Sequence, residues 1–420
     1  MGRFLYALVL WVALPFVLVR LWWRARREPG YRSALAQRFG IYGAQQERTA
    51  RPLIWLHAVS LGETRAAAPL FERLRDMHPE CDFLVTHMTA TGREAAEQLF
   101  GGKAQLAWLP YDYGFAVRRF LDRFRPRLGI LIETEVWFNL VRGCRDAGVP
   151  LLLANARLSE KSLRGYEAVA PLAREAFGAL GAVAAQTAED ARRLERLGAR
   201  AVEVSGNLKF DVLPSAAMEA LAKQFKAGYG GRKVFLVAST RAGEEELLLE
   251  ALAARPLPAL VVIVPRHPDR FAEVEALLAR TGLPFARRSA GTAIPAGCRF
   301  VLGDSLGEMA AYYRAADVAF VGGSLLAYGG QNLIEACAAG VPVLFGPFTY
   351  NFAEAAEAAL AEGAARRVPD APQLLVAVDE LLRDEGHRAE MGRAGRAFCE
   401  KHRGATERIA ALAERLLAQR

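Results

Sequence analysis

Residues 53–87 read LIWLHAVSLGETRAAAPLFERLRDMHPECDFLVTH. A short apolar run at 53–57 stops at a turn. Apolar positions then recur with helical spacing over 63–77, and a second short run follows at 83–87. Two such runs joined by an amphipathic stretch form a βαβ unit, whose crossover helix makes the strands parallel. The pattern continues outward from there. Runs at 105–109, 128–132, 151–154 and 182–186 read as further strands, with helical patterns at 92–100 and 189–197. A second series has strands at 233–238, 259–264, 318–321 and 341–345. Residues 209–232, with Pro214, Gly228, Gly230 and Gly231, read as the linker between the two series. The expected fold class is α/β, with two doubly wound Rossmann-like domains facing a central cleft. Divisions are expected at 1–27, 28–212, 213–385 and 386–420, and the last, helical segment is expected to pack back on the first domain.

The 420 residues carry 54 basic and 46 acidic side chains and are 52% hydrophobic, which excludes a disordered chain. Five scattered cysteines, none with zinc-type or CxxC spacing, point to a reducing compartment. Residues 4–19 are uncharged, and Arg20, Trp22, Trp23, Arg24, Arg26 and Arg27 follow. The uncharged run gives about 24 Å of helix against a hydrocarbon core of about 30 Å. Arg20 can reach the interface, and the Trp pair suits it. Trp and Arg stand where a signal peptide carries small cleavage residues, and a core helix does not usually end in WWRARR. The segment is therefore expected to be a membrane anchor, either spanning or lying in the interface. Its basic end places the rest of the chain on the cytoplasmic face and favours anionic lipids. Residues 1–30 hold five Arg against Glu28, a net +4 out of the chain's +8. The basic residues form no stripe interleaved with aromatics, so nucleic acid is not an expected partner.

The sequence contains no GxxxxGK[ST], HExxH or D-x-D. The remaining chemistry lies in strand-to-helix turns, where doubly wound sheets bind ligands. Ser60 and Glu63 fit a capping box; alternatively, Glu63 is a base whose ionised form the helix N-terminus favours. Glu133 and Glu135 follow the run at 128–132 and either cap the next helix or contact a substrate. Ser239, Thr240 and Arg241 stand at a helix start and make either a phosphate site or an ordinary N-cap. Arg266 and His267 bring two more potential cations to the same edge. The pairs Gly322-Gly323, before Ser324, and Gly329-Gly330, before Gln331 and Asn332, let backbone amides approach a ligand. Glu335, expected one turn into the next helix, can accept two hydrogen bonds from a ribose diol.

Nine motifs extend across nearly the whole chain: HAVSLGE (57–63), ETEVWFN (133–139), NARLSEKS (155–162), GNLKFD (206–211), ASTRAGEE (238–245), VPRHPDRF (264–271), FVGGSL (320–325), GGQNLIEACAAGVPVLFGP (329–347) and YNF (350–352). Together they resemble the bacterial 3-deoxy-D-manno-octulosonic acid (Kdo) transferases of lipopolysaccharide synthesis. The resemblance implies a GT-B fold and an inverting, metal-independent enzyme with no cofactor. Such an enzyme moves Kdo from CMP-Kdo to a lipid A precursor (lipid IVA) at the inner membrane. It matches Glu63 to the family's general base. It matches Ser239, Thr240, Arg266, His267, Gly323, Ser324, Asn332 and Glu335 to the nucleotide side. The turn chemistry adds Arg241, Gly330 and Gln331 to the donor set, and Ser60, Gly62, Glu133 and Glu135 are assigned to the acceptor. Gln331 stands where the family often has His, Phe348 where GPH is common, and Phe138 where Pro is frequent. The first two changes remove imidazoles near the donor site, although Gln331 can still donate a hydrogen bond. The competing expectations are a GT-B transferase or epimerase using a UDP-sugar, and a catalytically silent membrane-tethered binding protein. The preserved Glu63 and nucleotide motifs argue against the second.

Overall fold

The computed structural model describes residues 2–27, 29–32, 34–43, 50–291 and 294–419, with the backbone alone at Arg27, Pro29 and Arg32. Arg27's side chain and Glu28, both part of the expected anchor boundary, lie outside the described residues. The chain divides into two compact units, residues 1–212 with 403–420, and residues 213–402.

In the first unit the short apolar runs become strands β1 (Leu53–His57), β2 (Asp82–His87), β3 (Gln105–Trp108), β4 (Leu128–Ile132), β5 (Leu151–Ala156), β6 (Ala182–Ala185) and β7 (Val202–Val204). All neighbours pair in parallel, in the order β3-β2-β1-β4-β5-β6-β7. Strands β1, β4, β5 and β6 are buried at every position, as a sheet covered on both faces requires. The order reverses between β1 and β4, so the turns after these two strands lie at the switch point, where ligands bind in open α/β sheets.

The second unit repeats the scheme with β8 (Val234–Thr240), β9 (Leu260–Pro265), β10 (Phe285–Arg287), β11 (Phe300–Leu302), β12 (Val318–Val321), β13 (Val343–Phe345) and β14 (Ala365–Arg367). Its parallel order is β10-β11-β9-β8-β12-β13-β14, which places the switch between β8 and β12. The GT-B expectation of two doubly wound α/β units is met.

Two features differ from the sequence reading. The stretch at 209–232 contains a helix, Ala216–Gly228, capped by Ser215. The division expected at 386 falls instead at 403. Helix Glu385–His402 stays with the second unit, where Gly392 packs so closely that a Cβ would clash with the Gly340 carbonyl. Only the final helix, Ala405–Ala418, joins the first unit, burying Ile409, Ala413 and Leu416 in a cluster with Leu70 and Phe71. Asp211 caps it by accepting the Gly404 and Thr406 N–H groups at 2.8 and 2.6 Å. At the N-terminus, Gly2–Arg27 is one helix, long and apolar enough to cross a membrane.

Candidate active site

At the first switch point, β1 ends at His57 and the next helix, Leu61–Met77, begins after Ser60. Ser60 accepts the Glu63 N–H at 3.4 Å and donates its hydroxyl to Glu63 Oε1 at 2.7 Å. The Val59 N–H donates to Glu63 Oε2 at 2.7 Å. This is the capping box with its returning bond moved one residue back, to the Val59 N–H in place of the Ser60 N–H. Burial, with the nearby Glu133 charge added, nonetheless pushes the Glu63 carboxyl up to about 7. The expected preference of a helix N-terminus for the ionised form is outweighed here, because desolvation and a like charge disfavour the anion more. A capped carboxyl that titrates near neutrality suits a general base. Gly62 beside it is exposed, and no atom lies within 4 Å of where a Cβ would stand. The HAVSLGE histidine is no part of the proton chemistry. His57 is buried, donates from Nδ1 to the Thr86 carbonyl at 3.0 Å, and is driven down to about 3 by burial.

The turn after β4 holds Glu133 in the left-handed region (φ 62), a conformation that costs energy in a residue with a Cβ. Its carboxylate pairs with Lys209 Nζ at 3.1 Å. Glu135 accepts the Trp137 indole N–H at 2.9 Å, and its pKa is raised by burial. Neither carboxylate caps the following helix, Phe138–Asp146. Asp112 does so, accepting the Asn139 and Leu140 N–H groups at 2.9 and 2.8 Å. The capping alternative for Glu133 and Glu135 is removed. Lys209 is a site residue that the sequence reading passed over. The cue was its place in GNLKFD as the cation following β7, and Asn155, also left-handed (φ 55), fixes that segment by accepting the Leu208 N–H at 3.0 Å.

At the second switch point, Ser239 is left-handed (φ 57) where the β8–β9 register slips. Two carboxylates of the chain itself bond to groups of the surrounding turns. Glu244 is fully buried and accepts four backbone N–H groups: Gly323 at 2.6 Å and Arg241 at 2.9 Å on Oε2, Ser324 and Leu325 at 2.9 Å each on Oε1. Glu245, equally buried, accepts the Thr240 hydroxyl at 2.6 Å and pairs with Arg270 at 2.5 Å. The amides of Arg241, Gly323 and Ser324 are thus satisfied internally. The Gly330 N–H likewise donates to the Gly323 carbonyl at 2.6 Å. Thr240 and Ser324 are buried, and the Ser324 hydroxyl donates to the Val321 carbonyl at 2.6 Å. Thr240, Gly323, Ser324 and Gly330 therefore brace the turns that carry the donor-side motifs.

Partly exposed groups surround that frame. Arg241 Nη1 donates to His267 Nε2 at 2.8 Å, and its guanidinium lies 4.7 Å from the centroid of the Tyr328 ring. Burial, with the charges of Arg266 and Arg241 added, lowers the His267 pKa, so the ring is a neutral acceptor there. Arg266 Nε donates to Gln331 Oε1 at 3.1 Å. Gln331 thus holds a guanidinium, a role it fills with its amide oxygen. Asn332 accepts the Ile334 N–H at 3.1 Å, and Glu335 lies in the first turn of helix Ile334–Ala339, earlier than expected. Phe348 is 39% exposed. Two guanidiniums, a neutral imidazole and an amide make an anion-binding surface.

Two switch-point sites, one with a near-neutral carboxyl and one lined with guanidiniums, define a glycosyltransferase of the GT-B class. Residues 285–398 match the family model for glycosyl transferases group 1, and residues 33–212 match that for 3-deoxy-D-manno-octulosonic-acid transferase (kdotransferase). The chain is 48% identical to a 3-deoxy-D-manno-octulosonic acid transferase of Bordetella pertussis, over 97% of this chain and 98% of that one. It is 33% identical to the Haemophilus influenzae protein of the same name, over 97% of each. It belongs to the 3-deoxy-D-manno-octulosonic acid transferase family. The UDP-GlcNAc 2-epimerase of Neisseria meningitidis shares the fold, with a TM-score of 0.61 at 16% identity over 86% of this chain and 100% of that one.

Proposed function

We propose that the chain transfers Kdo from CMP-Kdo to a lipid A precursor, lipid IVA, with inversion. The observation that carries this reading is the Glu63 carboxyl, held by Ser60 and Val59 at the first switch point and poised near neutrality. Glu63 takes the proton of the acceptor's sugar hydroxyl as its oxygen bonds to the anomeric carbon of Kdo. The anomeric carbon–phosphate oxygen bond breaks, and CMP departs with that electron pair. Glu133 and Glu135 bind the acceptor beside Glu63, with Ser60 and Gly62 forming the turn. In the second unit Ser239, Thr240, Arg241, Arg266, His267, Gly323, Ser324, Gly330, Gln331, Asn332 and Glu335 form the donor site. Arg241 and Arg266 meet the charge growing on the leaving phosphate, so no metal ion is needed for that task. The N-terminal helix keeps the enzyme at the cytoplasmic face of the inner membrane, among anionic lipids and next to its acceptor.

Mass spectrometry of the lipid product, after incubation with CMP-Kdo and lipid IVA, tests donor and reaction class together. A mass increase by whole Kdo units is expected, and an unchanged acceptor refutes the proposal. Thermal protection by CMP but not by UDP separates it from a UDP-sugar enzyme of the same fold.

A further inference from the structure

The N-terminal helix has two distinct faces. The shielded positions are 6, 10, 13, 14, 17, 21, 24 and 25, and at about 100° per residue they fill one arc of roughly 120°. The opposite face is apolar and open, with Phe4 77%, Val12 72% and Phe16 71% exposed. The shielded face is fastened to the first unit in its first half and again near its end. Arg3 Nε donates to Glu175 at 2.8 Å, and the Tyr6 hydroxyl to Asp112 at 2.7 Å. The Tyr113 hydroxyl donates to the Leu10 carbonyl at 2.7 Å, and Trp11 lies 5.4 Å from the Tyr113 ring. At the other end Leu21 and Ala25 are buried with Tyr31 and Ala90.

A spanning helix would carry residue 3 to the far side of a hydrocarbon core about 30 Å thick, away from Glu175 and Asp112. Both ends are instead held by the unit that carries Glu63. We infer that the helix lies flat, shielded face on the first unit and open face in the surface of an anionic bilayer. Arg26, stacked 3.8 Å over Trp22, together with Arg20, gives this surface the charge that anionic headgroups attract. Such a helix sinks only about 5–10 Å and holds the first switch point close to the headgroups, where a lipid-borne sugar is found. The inference rests on the membrane reading above and adds its geometry.

The test uses the full chain in sealed vesicles of phosphatidylethanolamine and phosphatidylglycerol, with the soluble units outside. The five native cysteines are buried, so background labelling is low. In Gly2→Cys/Leu172→Cys, where a Cβ on residue 2 stands 3.5 Å from the Leu172 side chain, mild oxidation is expected to form a disulfide in protein that floats with the vesicles. In Gly2→Cys, a membrane-impermeant maleimide is expected to label to the same extent before and after detergent is added. No disulfide in floated protein, or Gly2→Cys labelling only after detergent, overturns the flat geometry. Failure of the wild-type chain to float refutes the membrane reading itself.

Discussion

Glu244 is predicted to be the brace of the donor site, and Glu244→Gln tests it. Each carboxylate oxygen accepts two N–H groups: Gly323 and Arg241 on one side, Ser324 and Leu325 on the other. A Gln side chain keeps one acceptor oxygen and turns an NH2 group toward the other pair. Two buried N–H groups lose their partner, at about 1–3 kcal/mol each, so the loss is about 2–6 kcal/mol. For a unit of this size even the lower figure lowers its unfolding midpoint by roughly 4–8 °C. The loop at 322–325 also carries Gly323, which lies beside Gln331 and Arg241, so donor KM should rise along with the instability. Differential scanning calorimetry and donor saturation kinetics read the two effects. A midpoint within about 2 °C of wild type, together with an unchanged donor KM, would refute the bracing argument.

Other predictions follow from the same geometry. With Glu63 as a base titrating near 7, kcat/KM should rise with pH through about 7 and level off above it. Glu133→Gln removes the like charge and should move that limb to lower pH; an unmoved limb would show that Glu133 does not act on Glu63. Because the folded pKa of Glu63 is raised, its contribution to stability is complete below the unfolded value of about 4.5 and is lost as pH rises through about 7. Glu63→Gln should flatten that slope in a series of denaturant titrations. Arg241→Ala removes a charge-assisted contact worth about 1.5–3 kcal/mol, so CMP affinity should fall by roughly 10- to 150-fold in isothermal titration, against little change if Arg241 only stacks on Tyr328.

Much of the fold was legible because parallel strands buried on both faces leave continuous apolar runs. Strands β1, β4 and β12 have the bounds that the sequence suggested. Strands β7, β10, β11 and β14 were missed because each has three residues; Glu203, Arg287, Arg366 and Arg367 interrupt three of them, and the three apolar residues of β11 make too short a run. The helix at Ala216–Gly228 was hidden by the glycines that end it. In the candidate site, the turns after strands are what single out Glu63, Arg241 and Arg266. The partnerships did not show, since Lys209 meets Glu133 across 76 positions and Glu244 meets Ser324 across 80. A glycine pair in sequence advertises open amides, but only the fold reveals that a buried carboxylate already holds them.

The account depends most on Glu63. The decisive measurement is the rate of Kdo transfer by Glu63→Gln from CMP-Kdo to lipid IVA, at saturating donor and at pH 8. Loss of general-base catalysis predicts a fall of about 10²–10⁴-fold, with CMP still protecting the folded protein as it protects wild type. A rate within about threefold of wild type would contradict the assignment of Glu63 as the base.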